Sequence, residues 1–117
     1  MKVLLVDDEK ELTATLAERL SFRGIDAEWA TSGQEALELA ANARYDLAVL
    51  DVKMPKMSGI TLMKRLRERY PDMKFIFMTG HGSEDDFKTG SAGASHYLVK
   101  PVKLEALVEK MKLALNR

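Results

Sequence analysis

A few polar residues in this chain stand where chemistry can be done. Asp7, Asp8 and Glu9 follow one short apolar run, Asp51 follows a second, Thr79 a third and Lys100 a fourth. Carboxylates that lie close together repel and raise one another's pKa unless a cation sits among them. With oxygen donors and no His or Cys in the set, the fitting cation is magnesium, typically held by one or two carboxylates with waters and a phosphate. Lys100 and Thr79 add a positive charge and a hydroxyl donor, which are what the remaining oxygens of a phosphoryl group need. Taken singly, these residues are ordinary: Asp7-Asp8 a solvated strand end or a helix cap, Lys100 a surface lysine. It is their joint placement that points to a site.

That placement depends on the elements between them. Val3 to Val6 is a continuous apolar run, as expected of a strand buried on both faces. Leu12, Leu16 and Leu20, with Ala17 beside them, predict a helix with an apolar stripe that Gly24 ends. Ile25 to Ala30 alternates and contains Trp29, predicted to pack the flank of the sheet. Ser32 and Glu35 form a capping box for a second helix. Leu47 to Leu50 is the next buried strand. Ser58 can cap a third helix through Leu62, Met63 and Leu66, which Pro71 stops. Phe75 to Met78 and Tyr97 to Val99 complete the strands. Ser83 and Asp86 suggest a short fourth helix, and Leu104, Leu107, Val108 and Met111 a closing one. Five strands alternating with five helices predict an α/β fold, a parallel sheet covered on both faces. Such sheets bind ligands beyond the carboxyl ends of their strands, where Asp7, Asp51, Thr79 and Lys100 fall.

Composition excludes several classes. The chain has 117 residues, 46% hydrophobic and 31% charged, which is one ordinary globular domain, 1–117. With no cysteine, disulfide frameworks, thiolate zinc sites and thiol catalysis are out. Apolar runs are too short to span a bilayer, and the amino terminus reaches Asp7 too soon for a signal peptide, so a cytoplasmic location is expected. The net charge of zero hides a split: residues 1–52 hold eleven acids and five bases, the rest seven and thirteen. Those bases are spread over several predicted helices, a solvated face more than a nucleic-acid surface. His81 and His96 lack the companions a metal site needs.

The motifs Val6-Asp7-Asp8-Glu9, Leu50-Asp51-Val52-Lys53-Met54-Pro55, Ser58-Gly59, Met78-Thr79-Gly80 and Tyr97-Leu98-Val99-Lys100-Pro101 come in order at strand ends. In them the chain resembles a response-regulator receiver domain of two-component signalling, over essentially its whole length. The resemblance implies a flavodoxin-like, doubly wound sheet of order 2-1-3-4-5. It implies that Asp51 takes a phosphoryl group from a phosphohistidine on a sensor histidine kinase or phosphotransfer protein. Asp8 and Asp51 would bind Mg2+ (Mn2+ substituting) directly, Asp7 through water, and Lys53 through its backbone carbonyl. Lys100 would pair with the phosphoryl oxygens. Thr79 and Tyr97 would form a switch that remakes the face of the fourth helix, fifth strand and closing helix.

Further implications are a cis Lys100-Pro101 bond and a phosphoryl lifetime set through Lys53 and His81. A downstream output protein or domain, and a homodimer on phosphorylation, are implied as partners; nucleic acid and membrane are not. The protein would be a phosphoacceptor and not a turnover enzyme. The segment from Ser83 to Tyr97, with Gly90 inside a thin helix pattern, is expected to be the part that moves. A haloacid-dehalogenase-type phosphatase would put a second aspartate two residues after Asp51, where Lys53 stands. No P-loop motif occurs. A phosphate-independent interaction module is the remaining alternative.

Overall fold

Alternation within the apolar runs sends side chains to two separate cores. From the first strand, Leu4 and Val6 enter one core and Val3 and Leu5 the other; from the third, Ala48 and Leu50 part from Leu47 and Val49 in the same way. Phe75 and Phe77 divide likewise from Ile76 and Met78. A strand that feeds apolar side chains to both faces must be covered on both.

The computed structural model describes residues 1–80 and 96–116. Its elements are β1 (Lys2–Val6), α1 (Lys10–Phe22), β2 (Asp26–Ala30), α2 (Gly33–Asn42), β3 (Leu47–Asp51), α3 (Gly59–Arg69), β4 (Lys74–Thr79), β5 (His96–Val99) and α4 (Leu104–Ala114). All strand pairs are parallel and the order is β2-β1-β3-β4-β5. Helices α2 and α3 pack on one face through Ala36, Ala40, Leu62, Met63 and Leu66. Helices α1 and α4 cover the other through Leu16, Leu20, Leu107 and Met111. The described residues thus hold four helices. The further helix expected between β4 and β5 lies outside them.

Local signals explain the boundaries. Ser32 accepts the Glu35 N–H at 3.1 Å, while Glu35 reaches back to the N–H of Thr31 at 3.2 Å, one residue before the cap itself. Ser58 accepts the Thr61 N–H at 3.2 Å. Gly24, at φ +78°, turns the chain out of α1 in a conformation that a side chain would resist. One expectation is corrected. Leu12 is 40% exposed, and Thr13 takes the buried place at 1%. The inward stripe of α1 is Thr13, Leu16, Ala17 and Leu20, spaced i, i+3, i+4, i+7; Leu12 lies about a quarter of a turn from its centre.

Candidate functional site

Register brings the polar strand ends to one rim. Val6 pairs with Leu50, so Asp7 and Asp51 follow side by side on neighbouring strands. Asp51 pairs with Met78, and Thr79 with Val99, which places Thr79 and Lys100 next along the rim. The Lys100 N–H donates to the Thr79 carbonyl at 2.8 Å, and the Lys100-Pro101 bond is cis.

One carboxylate oxygen from each of Asp7, Asp8 and Asp51 lies within 4.8 Å of the others. Asp7 and Asp51 are buried and Asp8 is exposed. The Lys100 ammonium stands 2.8 Å from Asp7 Oδ2, 3.3 Å from Asp51 Oδ2 and 3.4 Å from Glu9 Oε1. Asp7 Oδ1 is committed, accepting the Glu9 N–H at 3.0 Å. Asp7 Oδ2 has its close ion pair yet no well-directed hydrogen bond, an unusual condition for a buried oxygen.

Burial pushes the Asp51 carboxyl up to about 6, and the negative charge of Asp7 adds to the shift. Lys100 pulls it back only in part, and Asp8 raises it further. For Lys100, burial alone would lower its pKa, but its contacts with Asp7 and Asp51 prevail and raise it. The rim therefore holds excess negative charge that a single ammonium does not neutralise. An under-partnered buried oxygen inside an all-oxygen, all-anionic donor set fits a hard divalent cation such as Mg2+.

Two residues that the motif reading left without a role hold this rim in shape. Thr13 donates its hydroxyl to the Glu9 carbonyl at 2.7 Å and lies 3.4 Å from that of Asp7, tying the acidic turn to α1. Its signal in the sequence is a polar residue on the inward helical stripe. Gly59 donates its N–H to the Val52 carbonyl at 2.9 Å. A Cβ at Gly59 would lie 2.1 Å from the Asp51 carbonyl oxygen, so glycine lets α3 start close against the end of β3. Lys56, at φ +68°, turns the loop between them.

The remaining expected residues differ in their exposure. Thr79 is fully buried, and its hydroxyl donates a long bond to the Leu98 carbonyl at 3.4 Å. Tyr97 is 47% exposed on β5, pointing outward. Lys53 lies two residues past Asp51 with an exposed side chain. His81 and the segment Ser83 to Ser95 lie outside the described residues.

A family model described as the response regulator receiver domain matches residues 3–112. The chain belongs to the response-regulator receiver family. It is 39% identical over 118 residues to the response regulator MprA of Mycobacterium sp. (strain KMS), covering all of this chain and 51% of that protein. The chain thus spans about half the length of the curated relatives it matches. Among solved structures it is similar to the Vibrio cholerae chemotaxis protein CheY4, at 34% identity and a TM-score of 0.88, with 97% of each chain covered. It is also similar to the response regulator TrrA of Thermotoga maritima, solved in complex with Mg(2+)-BeF, at 32% identity and a TM-score of 0.83, again with 97% of each covered. Such receivers are signalling domains of two-component systems. Among the described residues no helix is long and apolar enough to cross a membrane.

Proposed function

We propose that residues 1–117 form a phosphoacceptor domain whose nucleophile is Asp51. The observation that carries this reading is the Lys100 ammonium 3.3 Å from Asp51 Oδ2, inside a cluster of three carboxylates at the carboxyl rim of the sheet. The donor would be a phosphohistidine on a cytoplasmic sensor histidine kinase or phosphotransfer protein. An Asp51 oxygen attacks phosphorus, the P–N bond breaks, and its electron pair returns to the imidazole, which takes up a proton. The products are an aspartyl phosphate and neutral histidine. With its carboxyl near 6, Asp51 is largely ionised at neutral pH and therefore nucleophilic.

Asp8 and Asp51, with Asp7 and the Lys53 carbonyl, would hold Mg2+. When bound, Mg2+ supplies charge neutralisation at the phosphoryl oxygens. Lys100, already poised between Asp7 and Asp51, pairs with a phosphoryl oxygen as that group arrives. Among the described residues the Thr79 hydroxyl has a long bond to the Leu98 carbonyl to give up in turning toward the new group. Space vacated there lets the Tyr97 ring move inward, which alters the face formed by β5 and α4. That face would meet an output domain, an output protein or a second copy.

The test is intact mass after incubation with acetyl phosphate. The wild type gains one phosphate, and the gain requires Mg2+ and is absent in Asp51→Asn. Equal labelling of the variant, or labelling unaffected by chelator, overturns the assignment. An unlabelled wild type would favour a phosphate-independent interaction module.

A further inference from the structure

At the end of the sheet opposite the acidic rim, a cavity of about 400 Å³ opens where β3 and β4 begin. Its size falls within the roughly 300–1,000 Å³ of small-molecule sites. Tyr45, Tyr70, Met73 and Leu115 supply aromatic and apolar walls. Both tyrosine hydroxyls are already committed, Tyr45 to Glu28 Oε1 at 2.6 Å and Tyr70 to the Ala40 carbonyl at 2.6 Å. The rings are therefore fixed walls, and little ordering is left for a ligand to impose.

Charge on this lining is unbalanced in a second way. Arg44, Arg69 and Lys74 line the cavity, and none of them has an ion-pair partner among the described residues. The Arg69 guanidinium instead lies 5.9 Å over the Tyr70 ring. Of the two acids present, Asp46 already accepts the Lys2 N–H through Oδ2 at 2.8 Å, and Asp72 is the freer to accept from a ligand. Guanidinium groups match the oxygens of a phosphate in pairs, and tyrosine and guanidinium planes stack on flat rings.

We propose that this cavity binds a small organic anion made of a flat ring and a phosphate, the chemistry of a mononucleotide. The phosphate meets Arg44 and Lys74, the ring stacks on the partly exposed Tyr70 and Arg69 planes while the buried Tyr45 closes the floor, and a ligand hydroxyl or amino group donates to Asp72. The site is separate from the phosphoacceptor rim and stands whether or not Asp51 is phosphorylated. It touches the amino ends of β3 and β4, the two strands that carry Asp51 and Thr79 at their other ends.

The experiment is an amide NMR titration of the full chain in chelator, with 5′-AMP, adenosine and inorganic phosphate as separate probes. AMP should shift residues 44–46 and 70–74 saturably at submillimolar concentration, with adenosine or phosphate alone weaker by about tenfold or more. The exposed pair Arg44→Gln and Lys74→Gln together should weaken AMP by about tenfold or more while the spectrum elsewhere and the melting temperature hold. Phosphate binding as well as AMP, shifts centred on Asp8, Asp51 and Lys100, no saturable shift at several millimolar, or an indifferent double variant would each overturn the proposal.

Discussion

Replacing Asp51 by asparagine should make the metal-free protein more stable at neutral pH. The folded state holds this carboxyl at about 6 against an ordinary value of 3.8, because burial and the charge of Asp7 disfavour its ionised form. A raised carboxylate pKa contributes stability that is present below the unfolded pKa and lost as pH climbs through the folded one. At pH 7.5 the full penalty applies, about 3 kcal/mol at ~1.36 kcal/mol per unit. At pH 4.5 the same linkage leaves about 1 kcal/mol. Asp7, Asp8 and Lys100 share this electrostatic term, so ~1–3 kcal/mol is the range to expect at pH 7.5. For a domain of this size that raises the melting temperature by roughly 4–12 °C.

The assay is thermal unfolding by circular dichroism in chelator, on wild type and Asp51→Asn, at both pH values. The gain should shrink to about a third at pH 4.5, and added Mg2+ should narrow it at pH 7.5 by stabilising the wild type. A variant no more stable than wild type at pH 7.5, or one whose gain is larger at pH 4.5, would refute the argument from crowded charge.

Three further changes follow from the same geometry. Gly59→Ala puts a Cβ into the Asp51 carbonyl, so it should cost about 2–4 kcal/mol by denaturant midpoint and depress phosphorylation as the acceptor strand shifts. Thr13→Val removes the bond to the Glu9 carbonyl at about 1 kcal/mol; weakened Mg2+ affinity by titration, restored in Thr13→Ser, shows that the hydroxyl holds the acidic turn. Tyr45→Phe leaves Glu28 without its 2.6 Å donor and should cost about 1–2 kcal/mol near neutral pH. Glu28 is held below the usual carboxylate range, chiefly by that bond, so its contribution is present above the unfolded pKa and is lost as pH falls; unfolding curves of wild type and Tyr45→Phe should converge in acid.

The strands and the rim could be read from the sequence because buried parallel strands print continuous apolar runs, and each run here ends in a polar residue. Caps were legible for a similar reason: Ser32 and Ser58 bond to N–H groups three residues away, a local relation. The chain's inward helix stripe was less so. Leucine at 12, 16 and 20 looks like a stripe by residue type, and only the angular period favours the polar Thr13 over Leu12. The close approach at Gly59 depends on where α3 meets β3, and no local pattern encodes that distance. The cavity at the amino ends of β3 and β4 was invisible, since residues 44–46, 69–74 and 115 meet only when the sheet forms. Likewise the lack of a well-directed hydrogen bond at Asp7 Oδ2 is a matter of angle and distance, not of residue type.

The central claim is that Asp51 carries the phosphoryl group, and peptide mapping after borohydride reduction tests it most directly. Hydride reduces an acyl phosphate to the alcohol, releasing phosphate and leaving a stable mark on the side chain that bore it. Protein treated with acetyl phosphate and Mg2+ should show that mark at Asp51 and at no other carboxylate, and omission of the phosphodonor should abolish it. A mark on Asp7, Asp8 or Glu9, or an unmarked Asp51 in protein whose mass shows one added phosphate, would contradict the account.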